Sequence, residues 1–154
     1  MGALIADVQL KDTCLELARH LSCPHPDEDP PFGFAELLKR YKVLEVRERV
    51  LERDAHLLAV DGSYVIEVNS TVSSARRRMS IAHELGHLII NEVCGDNSFA
   101  GHSDPQIERI CNDVAVELLC PGEVVRGYFA AQRSLGDWRS AICCQNVVDR
   151  KSVV

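Results

Sequence analysis

The sequence predicts an α+β fold. A short, mainly antiparallel sheet packs on a long helix carrying a His-Glu-x-x-His motif and on a following helix carrying a glutamate. Three observations predict it. Apolar residues recur at helical spacing near the N-terminus and again after residue 73. Between those stretches the period shortens to two, as in strands with one buried face. The 154 residues, 46% hydrophobic and 26% charged, suffice for one domain with a real core, though a small one for an enzyme.

The elements follow in order. Leu10, Cys14, Leu17 and Leu21 place a helix over residues 4–21. Four prolines and three acids between Pro24 and Pro31 break it, so residues 1–23 form an N-terminal helix and 24–33 a linker before a main domain over 34–148. Phe34, Leu37, Leu38 and Tyr41 give a second helix. Val43 to Val46 reads as a strand. Leu57–Val60 and Tyr64–Val68 flank Asp61-Gly62-Ser63, the signature of a hairpin. Ser73 or Ser74 caps a helix running through Asn91. Asp104-Pro105 opens the next, an acid at the cap and proline in the first turn, and that helix ends before Pro121-Gly122. A last helix covers Glu123 to Arg133. The final hexapeptide, Asp149 to Val154, reads as a non-native tail and is set apart from the fold.

The chemistry concentrates in His83-Glu84-Leu85-Gly86-His87. Four residues apart on a helix, His83 and His87 share a face and can bind one zinc ion through neutral imidazole nitrogens. Glu84 can act as the base toward water at the ion's open position. The motif lies in an apolar stretch (Ile81, Leu85, Leu88, Ile89, Ile90), where two histidines and an acid have little reason to be plain core residues. Gly86 costs about 1 kcal/mol relative to alanine in a helix interior, so close packing or substrate approach must offset it.

A third ligand is needed. Glu108, Cys111, Asn112, Ala115 and Leu119 fall on one face of the helix after Asp104. A carboxylate on a core-facing stripe is costly unless paired or metal-bound, which makes Glu108 the best candidate. Asn112, one turn on, can orient a ligand. His102 in the preceding loop and the other acids stay open as alternatives. Asp113 and Glu117 fall off the face and read as solvated, and Glu92 points elsewhere. For an oxyanion stabiliser, Tyr64, His102 and Tyr128 are the candidates.

Two blocks resemble the ImmA/IrrE family of zinc metallo-endopeptidases. One is Arg77-Arg78-Met79-Ser80-Ile81-Ala82-His83-Glu84-Leu85-Gly86-His87; the other runs from Glu108-Arg109-Ile110-Cys111-Asn112 to Leu118-Leu119-Cys120-Pro121. The first alone is shared by many zincins; the pair is specific. The resemblance covers about Pro30 to Phe129 and implies a small zincin-like domain. It implies His83, His87 and Glu108 as Zn2+ ligands and Glu84 as the catalytic base. It also implies a protein substrate: a helix-turn-helix repressor of a phage, mobile element or stress regulon. Cys111, Val114 and Cys120 stand where the family usually has alanine, phenylalanine and methionine. The chain also ends sooner than family members that continue into further helices.

Composition narrows the setting. A net charge of −6 argues against broad nucleic-acid binding, so no direct nucleic-acid contact is expected. Arg76-Arg77-Arg78 is a local exception, read as a solvated helix start. No apolar run reaches the roughly 18 residues of a membrane span, and the acidic N-terminus is no signal peptide. Seven cysteines with no Cys-x-x-Cys pair fit a reducing cytoplasm. The rival expectation is a binding module that sequesters a repressor, with zinc serving structure only.

Overall fold

A computed structural model describes residues 2–22, 34–95 and 104–135. The N-terminal helix α1 spans Gly2–Leu21 and the short α2 spans Phe34–Arg40. Strands β1 (Val43–Arg49), β2 (Ala55–Val60) and β3 (Ser63–Asn69) follow, then helices α3 (Ser74–Cys94), α4 (Pro105–Leu119) and α5 (Gly122–Leu135). The expected linker 24–33 and tail 149–154 lie outside the described residues.

The α+β class is as the sequence predicts, and the sheet is mixed. β2 and β3 form the expected antiparallel hairpin, but β1 joins β3 in parallel, giving the order β1-β3-β2. The hairpin turn is Asp61-Gly62, with φ of 47° and 77°. Two consecutive left-handed residues make the turn whose twist matches paired strands, and only residues such as aspartate and glycine occupy it cheaply. β3 is central and its inner face is covered: Ile66 and Val68 are buried, whereas Leu44, Leu58 and Val60 on the flanking strands are exposed.

Helix α3 starts where predicted. The Ser73 side chain accepts a hydrogen bond from the Arg76 N–H at 3.3 Å. It continues one turn past Asn91 and stops at Gly95, which takes the left-handed cap conformation at φ 68°. Helix α4 opens on Asp104, whose carboxylate accepts from the Gln106 N–H at 2.8 Å, with Pro105 in the first turn. The two helices share the centre of the core: Leu85, Ile89 and Ile90 of α3 meet Val114, Ala115 and Leu118 of α4. Gly86 explains itself there. A Cβ at this position would lie 3.0 Å from both Cα and O of Cys111. The glycine therefore sets how closely α4 approaches α3.

Helix α1 is built into this core instead of standing apart from it. Cys14 and Ala18 are fully buried in the same cluster. Lys11 pairs with Asp113 at 2.6 Å, and Arg19 approaches Glu117 at 3.5 Å. Glu117 is thus not solvated: its carboxylate also accepts from the Gly122 N–H at the start of α5. The arginine run is likewise committed within the chain. Arg76 pairs with Asp54 at 2.7 Å, Arg77 lies 3.7 Å from Glu48, and Arg78 is buried. Among the described residues no helix is long and apolar enough to cross a membrane.

Candidate metal centre

Helices α3 and α4 bring three of the residues singled out in the sequence to one point. The Glu108 carboxylate spans both imidazoles: Oε2 lies 3.0 Å from His83 Nε2, and Oε1 lies 3.7 Å from His87 Nε2. Glu84 lines the same cleft, of about 510 Å³, together with Asn112 and the start of β2.

The two rings are held edge to face, with centroids 5.0 Å apart. Each nitrogen not facing Glu108 has its own partner on α4. His83 Nδ1 is 3.0 Å from the Asn112 side-chain oxygen, the orienting contact expected of that residue. His87 Nδ1 is 3.4 Å from Cys111 Sγ. Residues 108, 111 and 112 are i, i+3 and i+4, so one turn of α4 supplies every contact.

The electrostatics suit a cation. Burial, and then the neighbouring His83, lower the pKa of His87, leaving a neutral ring whose lone pair is free to coordinate. Burial pushes the Glu84 carboxyl up to about 7; Glu108 adds to the rise, while His83 and Arg53 oppose it. Cys111 is held well above the usual thiol range, chiefly by burial and then by Glu108 and Glu84.

The donor set fits a divalent metal. Two ligands at zinc-like bond lengths in a tetrahedral shell lie about 3.4 Å apart. The 3.0 and 3.7 Å separations bracket that value without any side chain moving far. A second donor set overlaps the first, since one donor atom each from His83, His87 and Cys111 lie within 4.8 Å of one another.

Other expectations resolve differently. Tyr64 lines a separate pocket beside Tyr41 and Asn91, so it does not serve this cleft as an oxyanion stabiliser. Its strand carries it to the hairpin end of the sheet, near the C-terminus of α3. Glu92 is engaged by Arg40 at 2.7 Å and by the Tyr41 hydroxyl at 2.6 Å, away from the histidines. His102 lies outside the described residues, as does the side chain of Tyr128. The Cys111 contact was not foreseen. Its spacing from Glu108 was visible, but a cysteine on an apolar stripe reads as core.

A family profile described as Peptidase_M78, IrrE N-terminal-like domain, matches residues 38–141. No curated protein and no solved structure matches the chain. The profile covers well over half of the sequence, including both motif blocks, and points to metallopeptidase-type chemistry. With two histidines and a glutamate converging beside a buried second glutamate, the chain belongs to the Peptidase_M78 family, within which it carries an IrrE N-terminal-like domain.

Proposed function

We propose that this chain is a zinc-dependent endopeptidase that cuts a helix-turn-helix transcriptional repressor of a phage, mobile element or stress regulon. The observation that carries the hydrolytic reading is the Glu108 carboxylate reaching both His83 and His87 while Glu84 lines the same cleft. Family membership supports a metallopeptidase in general. The choice of zinc rests on the nitrogen and carboxylate donor set, and the choice of a repressor on the family resemblance. The net charge of −6 complements the basic surface of a DNA-binding partner.

In this reading His83, His87 and Glu108 would hold the ion. What a bound divalent ion supplies is Lewis acidity: a polarised scissile carbonyl and a more acidic water. Glu84, lining the cleft beside the two histidines, would act as the base toward the attacking water and return the proton to the leaving amine. Burial raises the carboxyl's affinity for a proton, which suits a base that must also hand the proton on. Among the described residues β2 is an edge of the sheet, and its first residues line the cleft. An extended peptide laid along that edge would pair with the strand's open backbone groups. The buried thiols of Cys14 and Cys111 suit a reducing cytoplasm.

Glu84→Gln tests the chemistry. Assayed against a purified helix-turn-helix repressor that the native chain cuts, the variant should retain its metal and lose cleavage by about a hundredfold or more. Unchanged cleavage would sink the mechanism. Retained derepression without any cleavage, in native chain and variant alike, would instead favour a repressor trap with a structural ion.

A further inference from the structure

The nitrogens of one imidazole point in different directions, so an ion held on the Nε2 side of His87 by Glu108 cannot also take its Nδ1. Cys111 Sγ lies on the Nδ1 side, at 3.4 Å. Its place is therefore behind the ring, opposite the Glu108 contact. A neutral imidazole that offers the Nε2 lone pair carries its proton on Nδ1. That N–H needs an acceptor, and the acceptor fixes both tautomer and ring angle.

For His83 the acceptor is the Asn112 side-chain oxygen. For His87 the partner is a sulfur, and both His87 and Cys111 are buried, Cys111 completely. The close approach at Gly86 delivers it. The glycine faces the backbone of Cys111 itself, so the absence of one Cβ lets the sulfur reach the ring of the next residue in α3.

We propose that Cys111 is a positioning residue of the metal centre: its sulfur accepts the Nδ1–H of His87 and holds Nε2 toward Glu108. The proposal rests on the metallopeptidase reading. The geometric alternative makes Cys111 a ligand beside the two histidines, because the three donors lie within 4.8 Å. That arrangement requires His87 to turn Nδ1 to the ion and to give up its face toward Glu108.

Zinc affinity by chelator competition, measured on the native chain, Cys111→Ala and Cys111→Ser, is the first test. The alanine variant should bind about tenfold more weakly, and the serine variant, which keeps an acceptor, should recover most of the loss. Equal affinity of the native chain and Cys111→Ala would overturn the proposal. So would a sulfur-to-cobalt charge-transfer band in the cobalt-loaded native chain that disappears in Cys111→Ala, because it would make the sulfur a ligand. Ring-nitrogen NMR of the zinc-loaded native chain needs no variant: His87 should carry its proton on Nδ1, and a proton on Nε2 would refute the assignment. Failure of the native chain to bind zinc at all is a different result, which removes the metallopeptidase reading and this proposal with it.

Discussion

Replacing Gly86 by alanine sets two effects of known sign against each other. Helix propensity alone favours alanine over glycine in a helix interior by about 1 kcal/mol. The added methyl, however, would sit 3.0 Å from Cys111 Cα, 3.0 Å from its carbonyl oxygen and 3.2 Å from its Cβ. Two of those three neighbours are backbone atoms of a packed helix, which cannot swing aside as a flexible side chain would. Relief requires α4 to move, and overpacking of this kind typically costs about 1–3 kcal/mol. The expected net effect is a loss of up to about 2 kcal/mol, near the centre of the α3–α4 contact. Gly127 in α5 supplies the internal control, since a Cβ there meets nothing within 4 Å. Thermal or urea melts of metal-free protein should show Gly86→Ala melting below the native chain, at about 2–4 °C per kcal/mol. Gly127→Ala should melt at or above it. Because Glu108, Cys111 and Asn112 ride on the displaced turn, Gly86→Ala should also weaken zinc binding. A Gly86→Ala protein more stable than native, by the margin that propensity alone gives, would refute the close-packing account.

Other outcomes follow from the same geometry. Asn112→Ala should reduce zinc affinity about 10- to 100-fold through misorientation of His83, with the fold intact by circular dichroism; unchanged affinity would make the Asn112 contact incidental. Glu108→Ala should abolish stoichiometric metal at concentrations that saturate the native chain, whereas full metal content would pass the third-ligand role to another residue. Gly62→Ala should cost about 1–2 kcal/mol, because φ of 77° strains any residue with a Cβ, and melting curves would expose a smaller loss. Burial, and then Cys94, raise the Cys14 thiol from 9.0 to about 12. The folded state therefore holds a proton that the unfolded chain releases, so this stabilisation is full below pH 9 and is lost as pH rises toward 12. Cys14→Ala should lose less stability than the native chain across that window, and parallel declines would contradict it.

Much of the fold was legible because it is written in local rules. The Asp61-Gly62 turn, the Ser73 cap and the Asp104-Pro105 start are local signals, and each appears where its residues place it. The His83, His87 and Glu108 convergence was legible because helical spacing fixes which residues share a face. What escaped depends on how elements meet. No local signal tells β1 to join β3 in parallel, since its own residues read the same in either direction. The docking of α1 turns on Lys11 and Arg19 finding acids about 100 residues away in sequence, and the Arg19 contact helps to leave Glu117, an acid that reads as solvated, only partly exposed. Cys111 looks like core from its sequence neighbours and becomes a histidine partner only once Gly86 sets the interhelix distance.

In the proposed site the donors would be divided between two helices, two histidines on α3 and one glutamate on α4, which the structure already brings together. An ion bound there acts as a crosslink as well as a reagent, closing the chain between positions 87 and 108. Binding and folding then become reciprocal quantities. At a hundredfold excess over its dissociation constant the ion would add about 2.7 kcal/mol to stability. Any load that pries α4 from α3 would, by the same linkage, be read out as metal loss. A chelator titration would then double as a gauge of the fold, and a protease challenge as a gauge of metal supply.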